Sequence, residues 1–514
     1  MTKKCIKGIV EGGIFFYGAT KGSFVLPPHG YALWKNIQNI LDKKFAVRGV
    51  QNVLLPTLIP LDLLEREKEH VAGFSPECFY VERIGEKKLE TPLVLRPTSE
   101  VLFYEWYQQI LRSYQQLPFL YNQWCSVFRA EKNTSPFFRN TEFLWQEGHT
   151  IHASGEEARQ FTLDILADYR DYAENALNLA VIVGKKTEGE KFAGALETYT
   201  VECLLPDGQC LQFATSHYFG DNFCRLMEVD FQNKNNKMQH PFSTSWGTST
   251  RAIGAIAETH NDKLGIILPF DVAPVQIAFI LREENEELIN YYQKTKNLLN
   301  TFRCQLYNKY KQAKSNIIQA DKEGCPLKII LGKNELEQKI ITLARRDDVK
   351  RKITISLENS ETEKDFLRNF ENNLAESLEK YNLENKTKEQ LIVEREKTVD
   401  TVKKGFKRDK IIKVIKQEIA EFQKIIYQKS VDFRDNHIFP VNVFSELQKK
   451  IKEGAKGIFL IFFCNNLDCE TKIKEKVPSY SIRCISLTEK PEERGKCIFC
   501  AAPAVNYAYL GRSY

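Results

Sequence analysis

The sequence lacks any apolar stretch long enough to cross a membrane. Toward the C-terminal end the longest fully apolar run is Ile458–Phe463, whereas a membrane helix needs about 20 such residues. The opening stretch MTKKCIKGIVEGG has no long apolar core, so no signal peptide is expected there. Both absences argue against a membrane protein and against a secreted one.

A disulfide framework is also not expected. The 13 cysteines are odd in number and mostly scattered, which is typical of a protein kept in the reducing cytoplasm. The net charge of +6 is small for 514 residues, so it permits an acidic partner such as RNA without requiring one. With 43% apolar and 27% charged residues, the composition is that of a globular protein, and the length suits roughly three domains of about 150 residues.

The first predicted domain, residues 1–275, mixes long helices with strands. Helical periodicity is found in Tyr31–Phe45, near Glu100–Ser113 and near Gly155–Leu179. Glycine-punctuated polar strands follow without strand–helix–strand alternation. This pattern predicts an α+β fold built on an antiparallel sheet.

The second predicted domain, residues 276–430, alternates strands and helices. The runs VQIAFI and PLKIIL are typical of buried strands, and Glu283–Phe302 and Asn334–Ala344 are predicted helices. That order suggests a small α/β module with parallel strand pairing. A third, compact block with four paired cysteines is predicted for residues 431–514.

A charged insert interrupts the second domain. Residues 356–404 contain neither glycine nor proline and are rich in Glu, Lys and Asn. We expect a solvated helical excursion or a partly disordered segment there. A basic, tRNA-contacting insert is the alternative, which the many Glu residues weaken.

Reactive side chains are most concentrated in Phe128–His152, FRAEKNTSPFFRNTEFLWQEGHTIH. Arg129 and Glu131 stand two apart at the end of a predicted strand, where alternate side chains share one face. Arg139 follows a loop centred on residues 133–136. Because guanidinium groups bind phosphate bidentately, paired cations on two strands suit a polyanion.

Three further segments contain clusters of polar side chains, and each cluster could have either a functional role or an ordinary structural one. LRPTSE (95–100) precedes a helix, so Ser99 and Glu100 could simply cap it, or the carboxylate could hold a substrate ammonium. In LQFATSHYFGDN (211–222) Thr215 and His217 share a strand face, with Gln212 out of phase, yet a satisfied core His is more frequent. In STSWGTSTRAIG (243–254) Arg251 begins a predicted helix, the unfavourable dipole end for a cation, which favours a nucleotide clamp over a surface Arg.

Two short-spaced cysteine pairs lie in the third block. Cys464 and Cys469 form C-x4-C, and Cys497 and Cys500 form C-x2-C. Four thiolates can enclose a tetrahedral, structural Zn²⁺; buried free thiols are the alternative. Cys484, within the strand-like SIRCIS, is expected in the core.

Together these motifs resemble the class II aminoacyl-tRNA synthetases, and among them the prolyl-tRNA synthetase family of the archaeal and eukaryotic type. The resemblance covers nearly the whole chain outside the N-terminus and the insert. It is carried by GYALWKNIQ, LLPTLIP, EHVAGFSPE, LRPTSE, QWCSVFRAE, FFRNTEFLWQEGHT, KFAGA, TSHYFG, TSWGTSTR, EGCPLKIILGKNELE and the cysteine pairs. The long insertion that the bacterial type uses for editing is absent.

The resemblance implies activation of L-proline by ATP and transfer of the prolyl group to the 3′ end of tRNA(Pro). It also implies Mg²⁺ for ATP, a structural Zn²⁺, a homodimer formed partly by the Pro56 segment, and Tyr514 close to the active site. Arg129 and Arg251 are the implied catalytic residues. The implied ATP-binding residues are Arg129, Glu131, Arg139, Asn140, Phe143, Gln212, Thr215, Ser249 and Arg251. The implied proline-binding residues are Thr98, Glu100, Arg129, Trp145, His149 and His217.

Residues of the second domain are implied to read two guanines of the anticodon. The positions that match are Asp321, Lys328, Glu335, Arg345 and Lys350. The match is looser here, since Asp321 and Glu335 stand where Glu and Asp are expected, and Asn334 stands where Lys is usual. Asn140 also replaces a hydroxyl residue of the family pattern.

Two alternatives differ from this hypothesis. A threonyl enzyme would carry a catalytic-domain zinc bound by one Cys and two His, and no such set is evident before Pro269. A non-enzymatic RNA-binding protein would be expected to have lost motif residues, whereas Arg129, Gln212 and Arg251 are all present.

Overall fold

The computed structural model describes residues 1–66, 78–358, 367–374, 388–487 and 495–514. The motif EHVAGFSPE and much of the insert, 359–366 and 375–387, therefore lie outside the described residues. Contacts group the chain into two compact units, Met1–Asn261 with Tyr427–Tyr514, and Asp262–Ile426. No helix among the described residues is both long and apolar enough to span a bilayer.

The first unit is built around a large, mainly antiparallel sheet. In spatial order its described strands are Ile438–Val441, Ile458–Phe463, Asn506–Ser513, Tyr480–Ser486, Val181–Lys185, Glu197–Leu204, Gln209–Gly220, Phe242–Ser249, Glu142–His152, Phe119–Phe128 and Gln51–Asn52. The six strands from Val181–Lys185 to Phe119–Phe128 pair antiparallel with their neighbours. The predicted α+β fold on an antiparallel sheet is confirmed.

Helices cover this sheet and shorter strand pairs flank it. The helices of the first unit are Lys3–Glu11, Pro28–Val47, Leu61–Glu65, Glu100–Ile110, Gly155–Asp171, Asn222–Leu226, Arg251–Thr259, Phe444–Lys452 and Leu467–Lys476, with a 3₁₀ turn at Tyr114–Gln116 and a π turn at Tyr172–Ala176. The flanking strands are Phe16–Tyr17 with Phe24–Val25, Leu58–Pro60 with Lys87–Leu95 and Tyr80–Ile84, and Phe231–Gln232 with Met238–Gln239.

Local sequence explains how one of the longer of these helices is fixed. Ser154 caps Gly155–Asp171 by accepting a hydrogen bond from the backbone N–H of Glu157, and acidic residues fill the first turn, which suits the positive end of the helix dipole. Behind the sheet Trp246 packs edge-on against Phe45. Gly148 faces that indole so closely that a Cβ would lie 2.2 Å from it, so only glycine fits there.

The second unit contains a five-stranded mixed sheet. Its strands, in spatial order, are Cys304–Leu306, Ile277–Leu281, Leu327–Leu331, Ile340–Arg345 and Lys352–Ser356. Its helices are Glu286–Leu298, Ala313–Lys322, Lys333–Glu337 and 367–374, and the helix Lys388–Asn436 runs from this unit into the first. Within the insert, the described residues 367–374 and 388–404 are thus helical, whereas Ser356 ends a strand.

One predicted helix of this unit is wrong. The Asn334–Ala344 helix stops at Glu337, and Ile340–Arg345 is a strand that pairs antiparallel with both neighbours. Lys339 adopts a positive φ of 52°, which ends helical geometry. The apolar side chains that follow are then buried between strands, so the expected parallel pairing holds only for the first three strands of the sheet.

Candidate active site

A cavity lies on the antiparallel sheet of the first unit. Its walls come from the segment before helix Glu100–Ile110, from the hairpin 119–152, from strand Gln209–Gly220 and from the start of helix Arg251–Thr259. All fourteen residues predicted for ATP and proline line it: Thr98, Glu100, Arg129, Glu131, Arg139, Asn140, Phe143, Trp145, His149, Gln212, Thr215, His217, Ser249 and Arg251. Segments far apart in sequence therefore meet in one place, while the role of each residue stays a prediction.

Three guanidinium groups converge on this cavity. Burial lowers the pKa of Arg251 to about 10, with repulsion from Arg129 and Arg139 adding to the effect. Burial likewise lowers the pKa of Arg129. Because three like charges are held close together, and Arg129 and Arg251 are partly withdrawn from water, the cavity favours binding of an anion.

Each guanidinium is oriented by backbone oxygens. Arg129 Nε donates to the carbonyl of Pro97 at 3.1 Å, and Arg251 Nε donates to the carbonyl of Phe138 at 3.1 Å. Arg139 Nη2 donates to the backbone oxygen of Tyr514 at 2.8 Å. Tyr514 also packs against Phe138, with ring centroids 4.3 Å apart, so Tyr514 lies beside the cavity as expected.

Aromatic rings form one wall next to Arg129. Its guanidinium carbon lies 5.6 Å from the ring centroid of Phe143 and 5.3 Å from that of Trp145. These distances allow cation–π attraction. The rings thus help to hold the guanidinium group of Arg129 in place at the cavity wall.

The LRPTSE segment does not act as a simple helix cap. The Ser99 side chain makes no cap hydrogen bond; its Oγ accepts instead from Gln123 Nε2 at 2.7 Å. The Glu100 carboxylate is buried and accepts from the hydroxyl of Thr98. The capping interpretation is therefore wrong, because Glu100 points into the cavity that it lines.

A second buried carboxylate, Glu147, was not predicted. It lies 3.3 Å from His149 Nε2 and accepts from Gln123 Nε2 at 2.5 Å and from the backbone N–H of Ser99 at 3.2 Å. Burial raises its pKa, but these hydrogen bonds outweigh burial and leave the pKa below its ordinary value. The alternation of Trp145, Glu147 and His149 on one strand could have revealed it.

Glu100, Glu147 and His149 offer ligand atoms within 4.8 Å of one another. The cavity thus has, besides the guanidinium groups, an acidic end formed by Glu100 and Glu147 that suits an ammonium group. Among the described residues, no cluster of one Cys with two His was found. The zinc site that a threonyl enzyme would need therefore has no counterpart in the described chain.

His217 is locked between two hydroxyl groups. Its Nδ1 lies 3.0 Å from Thr198 Oγ1 and its Nε2 lies 3.0 Å from Thr215 Oγ1. Burial lowers its pKa to about 3, with the nearby His149 and Lys186 contributing. The ring is therefore neutral at pH 7, and it can wall a pocket without adding a charge.

A β-bulge places the Gln212 side chain on a different face of its strand from the one that the sequence pattern predicts. Strand Gln209–Gly220 pairs Ala214 with Val201 but Gln212 with Glu202, so Phe213 is an extra residue. The extra residue turns Gln212 onto the face that carries Thr215 and His217. Bulges often re-aim side chains beside functional sites, and nothing in the sequence pattern marked this one.

Asn140 and Phe192 complete the cavity in different ways. Asn140 is buried, and its Oδ1 has no hydrogen-bond partner among the described residues, which leaves an acceptor for a ligand. Phe192 lies in the KFAGA motif and was assigned no role. Its ring lines the cavity 4.8 Å from the His217 ring.

The four paired cysteines meet in the C-terminal part of the first unit. The sulfurs of Cys464, Cys469, Cys497 and Cys500 lie within 4.8 Å of one another, with Cys464 and Cys500 3.7 Å apart. Tetrahedral zinc with Zn–S bonds of about 2.3 Å spaces its sulfurs roughly 3.8 Å apart. A backbone hydrogen bond from Ala502 and contacts with the other thiols lower the pKa of Cys500 to about 7. Cys484 is buried in the core, as expected.

Most of the residues predicted to read the anticodon are engaged within the second unit. Asp321, Lys328, Glu335 and Arg345 are buried, whereas Lys350 is exposed. The contacts are Lys328 with Asp321, Glu335 with Thr342 Oγ1 at 2.9 Å, and Arg345 with Asp347 at 2.7 Å and Glu418 at 3.1 Å. These side chains stabilise one another, and only Lys350 reaches solvent freely.

Comparison with protein families gives three matches along the chain. Residues 79–260 match the tRNA synthetase class II core domain (G, H, P, S and T), residues 271–363 match the anticodon binding domain, and residues 444–514 match the C-terminal domain of prolyl-tRNA synthetase. The first match contains all fourteen cavity residues named above. The last contains all four paired cysteines.

Individual relatives match over nearly the full length. A proline–tRNA ligase of Mycoplasma mycoides subsp. mycoides is 39% identical over 97% of this chain and 94% of its own, and one of Ruminiclostridium cellulolyticum is 38% identical over 97% and 93%. Among solved structures, prolyl-tRNA synthetase of Cryptosporidium parvum with halofuginone and AMPPNP superposes with a TM-score of 0.83 at 28% identity. The same enzyme with L-proline and AMP gives 0.81 at 27%; each covers 99% of this chain and 94% of the other.

The buried state of His217 has a consequence for stability. Its folded-state pKa of about 3 lies below the ordinary His value of about 6.5, so only the unfolded chain takes up the proton as the pH falls below 6.5. Between pH 7 and pH 5 the wild-type protein should lose about 2 kcal/mol of unfolding free energy relative to His217→Gln. Urea unfolding at both pH values checks this; a constant difference between the two proteins would contradict it.

Proposed function

The chain belongs to the prolyl-tRNA synthetases, class II ligases that join proline to tRNA, and we propose that the cavity described above carries out its chemistry. The observation that carries this proposal is the convergence of a cationic end, with Arg129, Arg139 and Arg251, and an acidic end, with Glu100 and Glu147, in one cavity. Cations suit a triphosphate and carboxylates suit the secondary ammonium of proline. The two reactants are thereby brought together in one orientation.

In the first step the proline carboxylate attacks the α-phosphate of ATP. The new carboxyl–phosphate bond forms as the bond to the β-phosphate breaks, giving prolyl-adenylate and pyrophosphate. Arg129 interacts electrostatically with Glu100 and Glu147 as well as with Arg251, and it bridges the attacking carboxylate and the α-phosphate. Because the reactants repel each other as anions, neutralising their charge and fixing their geometry supply the catalysis.

The amino-acid end recognises the proline ring and its ammonium group. Thr98 and Glu100 accept hydrogen bonds from the ammonium, and Glu147 adds a second carboxylate nearby. Trp145, His149 and His217 wall the ring. A neutral His217 suits this role, because a second cation would repel the ammonium.

At the nucleotide end Arg139 binds the outer phosphates, and Arg251 stacks on adenine and contacts the γ-phosphate. Phe143 covers the opposite adenine face. Glu131, Asn140, Gln212, Thr215 and Ser249 supply hydrogen bonds to the nucleotide. The unpaired Oδ1 of Asn140 fits an amino-group donor, which compensates for the missing hydroxyl of the family pattern.

Mg²⁺ accompanies ATP in this proposal. A hard cation prefers oxygen ligands, and Gln212, Thr215 and Glu131 offer side-chain oxygens in the cavity. A Mg²⁺ ion held there by these residues and the phosphates would supply charge neutralisation for the pyrophosphate. The cationic surroundings favour a metal held mainly by the phosphate oxygens.

In the second step the prolyl group passes to the 3′ end of tRNA(Pro), and AMP leaves. The match of residues 271–363 to an anticodon-binding domain supports the second unit as the tRNA-reading part. Lys350, which is exposed, contacts RNA directly. Asp321, Lys328, Glu335 and Arg345 shape the surface on which bases are read.

We further propose a structural Zn²⁺, a homodimer and a cytoplasmic location. The four converging thiols fit zinc. Leu54 and Leu58, in the segment that resembles the first class II motif, are 77% and 40% exposed, which favours coverage by a second subunit. All thirteen cysteines are free thiols, as expected in a reducing compartment.

Replacing Arg129 by Ala should abolish activation while the protein still folds. We expect proline-dependent exchange of pyrophosphate into ATP to fall by about 10²–10³-fold or more, because a preorganised charge is lost. The control is Arg225→Ala, which removes an exposed arginine paired with Asp221 and should exchange normally. Exchange retained by Arg129→Ala would remove its assigned role.

Replacing Cys500 by Ser should release the metal. Purified wild-type protein should contain about one zinc ion per chain, and Cys500→Ser should contain much less and melt at a lower temperature. Cys304→Ser, which changes a cysteine of the second unit, serves as the control and should keep its zinc. Metal analysis that finds no zinc in the wild type would overturn this part of the proposal.

Replacing Leu54 by Asp should weaken the dimer, because the change puts a charge into a surface that self-association would bury. Sedimentation velocity should show a dimer for the wild type and a shift toward monomer for the variant. Val443→Asp, at an exposed site of the C-terminal part, should sediment like the wild type. A monomeric wild type at micromolar concentration would refute the dimer.

A further inference from the structure

The segment 186–196 connects strand Val181–Lys185 to strand Glu197–Leu204 and forms part of the amino-acid end of the cavity. The segment contributes Phe192 to the cavity wall, where the Phe192 ring packs against His217. The backbone N–H of Phe192 donates to Thr198 Oγ1 at 3.0 Å, and the same Oγ1 lies 3.0 Å from His217 Nδ1. The position of Phe192 is thus tied to the orientation of the imidazole.

Thr187 and Gly189, near the start of this segment, contact Glu470, a residue that does not line the cavity. The buried Glu470 carboxylate accepts hydrogen bonds from the hydroxyl of Thr187 at 2.5 Å and from the backbone N–H of Gly189. A Cβ at Gly189 would lie 2.9 Å from Glu470 Oε2, so glycine permits the carboxylate to approach this closely. Lys474 and Glu190, 3.4 Å apart, add an exposed ion pair.

Glu470 belongs to the C-terminal part of the chain and directly follows a cysteine of the four-sulfur cluster. Helix Leu467–Lys476 begins after Asn466, whose side chain accepts from the backbone N–H of Asp468. Cys469 lies in the first turn of this helix. A metal bound by the four sulfurs would therefore fix the helix, and with it the Glu470 carboxylate.

We infer that Glu470 is a positioning residue for amino-acid recognition, acting through segment 186–196 to hold Phe192 against the proline pocket; this rests on the proposed function. Without the carboxylate, the buried Thr187 hydroxyl would be left without its hydrogen-bond partner. Leaving polar groups in that state is unfavourable, so the segment would move to satisfy them. Phe192 would move with it.

A separate contact keeps the C-terminal part in place when Glu470 is changed. Lys186 Nζ donates to Glu202 Oε1 and to the carbonyl of Arg483, each at 2.7 Å. Arg483 in turn pairs with Glu202 at 3.1 Å, and all three side chains are buried. Because this second contact remains when Glu470 is replaced, we expect the structural change to be confined to segment 186–196 and not to displace the whole C-terminal part.

The test compares the KM for proline with the KM for ATP in pyrophosphate exchange. Glu470→Ala should raise the proline KM by about 10- to 100-fold, the range in which small displacements act, and leave the ATP KM within about twofold. Glu475→Ala, an exposed carboxylate on the same helix, is the matched control and should leave both values unchanged. Zinc content and melting temperature are measured for each variant.

A double-mutant cycle separates positioning from general structure. If Glu470 acts through Phe192, Glu470→Ala combined with Phe192→Ala should raise the proline KM no further than Phe192→Ala alone. Thr187→Val removes the partner hydroxyl and should reproduce the Glu470→Ala effect, which keeps the test available should Glu470→Ala fold poorly.

Three results would overturn the inference. They are an unchanged proline KM in both Glu470→Ala and Thr187→Val, an ATP KM that rises as much as the proline KM, or additive effects in the cycle. Wild-type protein without any proline-dependent exchange would overturn the proposed function itself, and this inference with it.

Discussion

The interaction on which the rest of the site depends is the electrostatic repulsion among three guanidinium groups that line one cavity. Burial, together with repulsion from Arg129 and Arg139, lowers the pKa of Arg251 to about 10. Such an arrangement is unfavourable in the empty protein, and it persists only because strands, backbone carbonyls and aromatic rings fix each side chain. A bound polyphosphate relieves the repulsion, so the free energy spent in holding the cations together returns as binding energy. The carboxylates of Glu100 and Glu147 form the acidic end of the cavity. They favour a positively charged group, so the cavity as a whole suits a substrate that carries both signs of charge.

Much of this could be anticipated from the sequence, because the decisive residues lie in short, chemically dense segments. Phe128–His152 predicted a concentration of cationic side chains, which line one cavity, and the two cysteine pairs predicted a cluster of four sulfurs. What could not be anticipated depended on long-range pairing. The bulge at Phe213 that re-aims Gln212 arises from register with strand Glu197–Leu204, and the strand Ile340–Arg345 arises from pairing on both edges. Glu147 was missed for a different reason: its place on the same strand face as Trp145 and His149 was not used, and a lone acid between Gln146 and Gly148 suggests a surface residue.

The C-terminal part adds strands to the catalytic sheet rather than standing apart from it. Strand Tyr480–Ser486 pairs with Val181–Lys185, and strand Asn506–Ser513 pairs in parallel with Gln209–Gly220. The same sheet therefore connects the walls of the cavity to three features of the C-terminal part: the sulfur cluster, the ion pairs of Glu202 and the Glu470 contact. If the four sulfurs bind a metal, as proposed, that metal would fix the helix that carries Glu470.

The central claim is that this cavity selects proline for attachment to its tRNA. The most direct test is aminoacylation of unfractionated tRNA by the purified protein with each of the standard amino acids in turn, followed by identification of the charged isoacceptors. The account predicts that proline is attached fastest and only to tRNA(Pro), with alanine as the nearest competitor because it lacks only ring atoms. Faster charging with another amino acid, or charging of another tRNA with proline, would contradict it.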